Sequence, residues 1–136
     1  MDQHLQAFLD AFLTKRYKGK WADSLARVKS KRESNPLLGM DALYRELDER
    51  YCTKLPKGSQ QQNIASVRQA LAKYKLTTCY VLSAYEPFNQ QTMIIEDALD
   101  QIIGSSSTTI ISFLPGKVAY FEGHSPGNRY LCINEV

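Results

Sequence analysis

The sequence predicts an α+β protein: four N-terminal helices packed on a mixed four-stranded sheet, in the order β-α-β-β-β with one crossover helix. Three observations lead there. Residues 1–75 repeat apolar side chains at helical spacing, residues 76–136 hold β-branched and aromatic runs of strand length, and Pro115-Gly116 divides two of those runs. A chain of 136 residues is the size of one domain, with a helical half at 1–75 and a β-rich half at 76–136.

Leu5, Phe8, Leu9, Phe12 and Leu13 recur at i, i+3, i+4, i+7 and i+8 and predict the first helix. Gly19 ends it, and Trp21, Leu25 and Val28 predict a second from Lys20 to Lys31. Asn35-Pro36 breaks that helix, and Met40, Leu43, Tyr44, Leu47 and Tyr51 predict a third that ends near Cys52. Ser59 and Gln62 have the offset of a capping box, which opens a fourth helix with Ile64, Val67, Leu71 and Tyr74 on its buried side.

From Leu76 the texture changes to that of a strand over residues 77–85, which Glu86-Pro87 ends. Ile94, Ile95, Ala98, Leu99 and Ile102 then mark an acidic amphipathic helix that Gly104 stops. Thr108 to Glu122 reads as a β-hairpin around Pro115-Gly116, since proline presets φ and glycine accepts φ > 0. One face is expected to carry Ile111, Phe113, Val118 and Tyr120, the other Ile110, Leu114, Ala119 and Phe121. Two apolar faces imply cover on both sides, by the acidic helix and by the basic N-terminal helices. Arg129 to Asn134 forms the last strand of an antiparallel meander. A strand-helix-strand unit of this length predicts a crossover that sets 77–85 parallel to 108–114.

The net charge of +3 hides a division. Residues 1–75 hold 15 Lys+Arg against 8 Asp+Glu, and residues 76–136 hold 2 against 6. No apolar run is long enough to span a membrane, and the N-terminus lacks a basic n-region and an unbroken h-region. A cytoplasmic location follows, or export by a route without a conventional signal peptide. Cys52, Cys79 and Cys132 are odd in number and widely spaced, as free thiols rather than a disulfide framework or zinc site.

Two stretches are candidates for chemistry. Lys15, Arg16, Lys18, Lys20, Arg27, Lys29, Lys31 and Arg32 face one acid, Asp23, and Trp21 lies among them, a pattern that suits phosphates and unpaired bases. The competing reading makes Trp21 core and the lysines a solvated face. Glu122, His124 and Arg129, with Lys117 nearby in sequence, offer a general acid or base and cations for an oxyanion or phosphorane. Their place on a sheet behind N-terminal helices is similar to metal-independent ribonuclease toxins, which would use His124 as acid or base and Arg129 as charge stabiliser. The run His124-x-x-Gly127-Asn128-Arg129 lacks the phenylalanine and second glycine of the Fic nucleotide-transferase core. As a turn, the loop needs Gly123, Pro126, Gly127 and Asn128 only for backbone geometry. A Cys52–His124 nucleophile pair is a further candidate.

With no Walker loop, no G-x-G-x-x-G and no metal-ligand spacing, neither a cofactor nor a metal is expected. The helical half, with Trp21 in its second helix, resembles in outline the short helical modules of effectors from intracellular bacteria. The sequence therefore favours a small cytosolic protein-interaction or regulatory domain, effector-like and without its own catalytic chemistry, that meets a protein partner or itself. A ribonuclease-like toxin or small hydrolase, and a nucleic-acid binder, are the alternatives.

Overall fold

The computed structural model describes residues 2–14, 35–125 and 127–135. Helix α1 spans Gln3–Phe12. Asp2 opens it by accepting the His4 and Leu5 N–H groups through Oδ1, two of the donors that a helix start leaves unmatched. Leu5, Phe8, Leu9 and Phe12 are buried, as their spacing predicts. The second predicted helix, Lys20 to Lys31, lies outside the described residues.

The third predicted helix is replaced by two 3₁₀ segments, Pro36–Gly39 and Asp41–Glu46. The apolar period is real, since Leu37, Met40, Leu43 and Leu47 are all buried, but it serves a tighter helix that stops early. Leu47 turns extended and forms an isolated β-bridge with Leu13, while Thr14 N–H donates to Glu46 O and Asp48 N–H to Phe12 O. These bonds to the end of α1 replace the intrahelical ones. The chain then enters strand β1, Cys52–Lys54, where the apolar spacing predicts the end of a helix.

Helix α2, Gln60–Leu71, begins at the predicted capping box: Ser59 Oγ accepts the Gln62 N–H and Gln62 Oε1 accepts the Ser59 N–H. Strand β2 is Thr78–Ser83. It is followed by a hairpin partner that the sequence reading did not contain, β3, Gln91–Ile94. Helix α3, Ile95–Ile102, comes next, then β4, Thr109–Leu114, β5, Val118–Glu122, and β6, Arg129–Ile133.

The six strands form one antiparallel sheet in the order β1-β6-β5-β4-β2-β3. This corrects the expected mixed four-stranded sheet behind four helices. The parallel pairing of 77–85 with 108–114 fails for a specific reason. Because β3 doubles back on β2, the crossover through α3 leaves from β3 and lands β4 on the far side of β2, antiparallel to it. The crossover exists, but it joins β3 to β4.

The hairpin of β4 and β5 pairs Ile110 with Phe121, Ile111 with Tyr120 and Ser112 with Ala119. A register shift between Ser112 and Leu114 sets Leu114 opposite Val118 and moves it to the other face from that expected. Gly116 has φ 72, the left-handed turn position that glycine fills without strain. Ile110, Ala119, Phe121 and Leu82 face α1 and the 3₁₀ segments. Ile111, Phe113, Val118, Tyr120 and Val81 face α2 and α3. The sheet is thus covered on both sides, with α1 on one and the acidic helix on the other, joined there by α2. Among the described residues no helix is long and apolar enough to cross a membrane.

Candidate functional site

Glu122 closes β5 with its side chain inside the protein, at 1% exposure. Its Oε1 accepts the Gly104 N–H at 2.7 Å and the Tyr120 hydroxyl at 2.7 Å. Its Oε2 accepts the Ser106 N–H at 3.0 Å and the Ser105 hydroxyl at 3.2 Å. Four donors and the Arg129 Nε at 3.7 Å occupy this carboxylate. Arg129 stands opposite Glu122 across β5 and β6 and donates from its Nη1 to Asn63 Oδ1 at 2.7 Å, and Asn63 in turn donates to Pro56 O. The network fastens α2 and the loop after α3 to the sheet. Burial and the Glu122 charge push the Tyr120 phenol far above the usual range, so it donates rather than ionises.

His124 lies just beyond, exposed, in the loop between β5 and β6. Its backbone N–H donates to Asp41 Oδ1 at 2.7 Å, and the Thr108 hydroxyl makes a long 3.5 Å contact with the same oxygen. Its Nδ1 is 3.1 Å from Ser106 O. A carbonyl oxygen only accepts, so Nδ1 carries the hydrogen and Nε2 is the lone-pair nitrogen of the neutral ring. Ser106 itself has φ 63, a left-handed conformation uncommon outside glycine. Glu122 holds it there through its N–H, and it holds the His124 ring through its carbonyl. Gly123 permits the loop's close return, since a Cβ there would meet the Asn128 Cβ at 3.1 Å.

These residues border a cleft of about 360 Å³. His124, Asp41 and the Ser106–Thr108 loop supply its polar wall, and Leu38 and Tyr85 its apolar wall. Leu38 is 68% exposed and Tyr85 49%, high values for large apolar side chains among the described residues. Tyr85 is braced edge-on by Phe88 at 5.0 Å.

The four residues nominated for catalysis do not share this cleft. Glu122 and Arg129 are committed to the internal network. Lys117 sits in the β4–β5 turn, separated from Glu122 by the length of β5, about 16 Å at 3.3 Å per residue. His124 alone lines the cleft. Cys52 is buried beside α1 with its thiol 3.7 Å from Phe12 O, away from the cleft walls. Lys15, Arg16, Lys18, Lys20, Trp21, Arg27, Lys29, Lys31 and Arg32 lie outside the described residues. Asp41 and Leu38 were missed by sequence reasoning, because they reach the loop from 83 and 86 residues away in the chain.

A second, smaller cleft of about 200 Å³ lies at the start of α1. His4 stacks on Tyr80 at 4.3 Å and its Nδ1 is 3.0 Å from Ser112 Oγ, while the Tyr80 hydroxyl donates to Asp2 Oδ2 at 2.8 Å. Burial first, and this bond second, push the Tyr80 phenol up to about 12. The set pins the helix start to the sheet. Cys79 lines the same cleft with its thiol pushed up to about 12 by burial, which suppresses the nucleophilic thiolate. Among the described residues no group of three or more His, Cys, Asp or Glu is placed to hold a metal ion. No protein-family model matches the chain, and neither a curated protein nor a solved structure matches it.

Proposed function

We propose that the protein is a small cytosolic interaction domain that binds a segment of a partner protein in the cleft between Leu38, Tyr85, Asp41 and His124. The observation that carries this reading is the co-location of Leu38 and Tyr85, two of the large apolar side chains left exposed, on one concave wall opposite polar groups. Tyrosine contributes contact area at small entropic cost and carries an electron-rich face for a cation. Asp41 adds a carboxylate, and the half of the chain from residue 76 onward holds 2 basic against 6 acidic residues. The segment that fits has an apolar side chain next to a lysine or arginine. Selection from a random displayed-peptide library tests this. Enrichment of an apolar-basic motif by the wild type and its loss with Leu38→Asp supports the reading, and no enrichment opposes it.

Nucleic-acid binding is a second reading, favoured by the net charge of +7 over Lys15 to Arg32. Its mark is affinity for single-stranded RNA that falls steeply with added salt. No binding at low salt removes it. The hydrolase reading is left with His124 as its acid or base and without Arg129 or Lys117 beside it. An RNA-cleavage assay that shows turnover abolished by His124→Ala would restore it.

A further inference from the structure

Cys52 and Cys132 stand directly opposite each other where β1 pairs with β6. The surrounding bonds define the kind of pair. Ile133 N–H donates to Tyr51 O and Leu55 N–H to Arg129 O, so residues 51/133 and 55/129 lie at hydrogen-bonded positions, and 52/132 falls at a position without ladder bonds. At such positions the Cα atoms approach to about 4.5 Å and the side chains lean together. That spacing lies inside the range of about 4.4–6.8 Å that a disulfide bridges, so backbone movement is not required. Both thiols are free and both belong to the core under α1. Cys79, by contrast, faces the opposite core from β2 and has Met93, not a cysteine, across the ladder.

We propose that Cys52 and Cys132 are a redox-modification site, oxidised by a small hydroperoxide to a cross-strand disulfide that ties the edge strand β1 to β6. Cys52 meets the oxidant. It is on a three-residue edge strand whose opening is local, it is 6% exposed against 0% for Cys132, and burial and its contact with Cys52 hold the Cys132 thiol protonated. The Cys52 thiolate attacks the peroxide, gives a sulfenic acid and releases water. The Cys132 sulfur then displaces the second water, forms the S–S bond and loses its proton. Two thiols and one hydrogen peroxide become one disulfide and two waters. The reaction ends the Cys52 thiol's contact with Phe12 O.

The test is intact mass and non-reducing peptide mapping of the full chain after hydrogen peroxide under native conditions, on the wild type and on Cys79→Ala. Both are expected to lose two hydrogens, to show one peptide pair linked through Cys52 and Cys132, and to recover their mass with dithiothreitol. Closing the loop from 52 to 132 is expected to lower the urea unfolding constant by about a thousandfold, from chain entropy. Oxygen adducts on either cysteine, a link through Cys79 or between chains, two unreacted thiols, or a bridge that forms only in urea would each overturn the proposal.

Discussion

Glu122 and His124 never touch, yet Ser106 joins them: its N–H donates to Glu122 Oε2 at 3.0 Å and its carbonyl accepts from His124 Nδ1 at 3.1 Å. The buried carboxylate therefore sets the left-handed turn at Ser106, and that turn sets the ring at the cleft wall. Glu122 is a positioning residue. Its contribution to any event at the cleft runs through the loop.

Glu122→Ala strands the Gly104 and Ser106 N–H groups, the Tyr120 hydroxyl and the Arg129 cation inside the protein. The expected loss is about 3–5 kcal/mol in urea denaturation. Tyr120→Phe removes only one donor and is expected to cost about 1–3 kcal/mol. The Glu122→Ala, Arg129→Ala double variant should lose less than the sum of the singles, since the two share one network. Additive losses would mean that the pair does not act as a unit.

Asp2→Ala deletes an acceptor for two helix N–H groups and for the Tyr80 hydroxyl at once. The cap alone is worth about 0.5–2 kcal/mol. Thermal unfolding should fall accordingly, and Asp2→Asn should recover most of the loss. Equal losses for alanine and asparagine would put the effect on charge rather than on the cap.

High pH tests two phenols, the half-buried Tyr80 and the buried Tyr120. The folded-state pKa of Tyr80 is raised to about 12 and that of Tyr120 is raised further, while an unfolded tyrosine titrates near about 10. A raised folded pKa gives stability that is complete below the unfolded value and is lost as pH climbs through the folded one. Stability should therefore decline from about pH 10 upward. In an absorbance titration Tyr80 and Tyr120 are expected to ionise together with unfolding. Reversible ionisation of all eight tyrosines near pH 10 in a folded chain would contradict the burial described here.

The sequence carried those elements whose signals are local. The β4–β5 hairpin was legible because Pro115-Gly116 divides two runs of β-branched and aromatic residues, and α2 because Ser59 and Gln62 announce its start. Strand β3 was not: Gln91-Thr92-Met93-Ile94 is short and runs without a break into Ile95, so it reads as the approach to a helix until β2 pairs with it. The stripe of Met40, Leu43 and Leu47 was correctly apolar but misassigned, because the bonds that end the 3₁₀ turn at Leu47 come from α1. At the site, Glu122 and Arg129 drew notice for their chemistry, while sequence does not display burial. Asp41 reaches His124 from a distance that no spacing rule spans.

Leu38 and Tyr85 form the proposed partner-binding wall. Both are exposed, so Leu38→Asp and Tyr85→Ala should leave stability within about 0.5 kcal/mol of wild type. The most direct measurement is calorimetric titration of a library-selected apolar-basic peptide into wild type, Leu38→Asp and Tyr85→Ala, each with an unchanged circular dichroism spectrum. Each variant is predicted to weaken binding by about tenfold or more, the loss expected of a central anchor. Unchanged affinity in both folded variants would contradict the claim and move the binding surface elsewhere on the molecule.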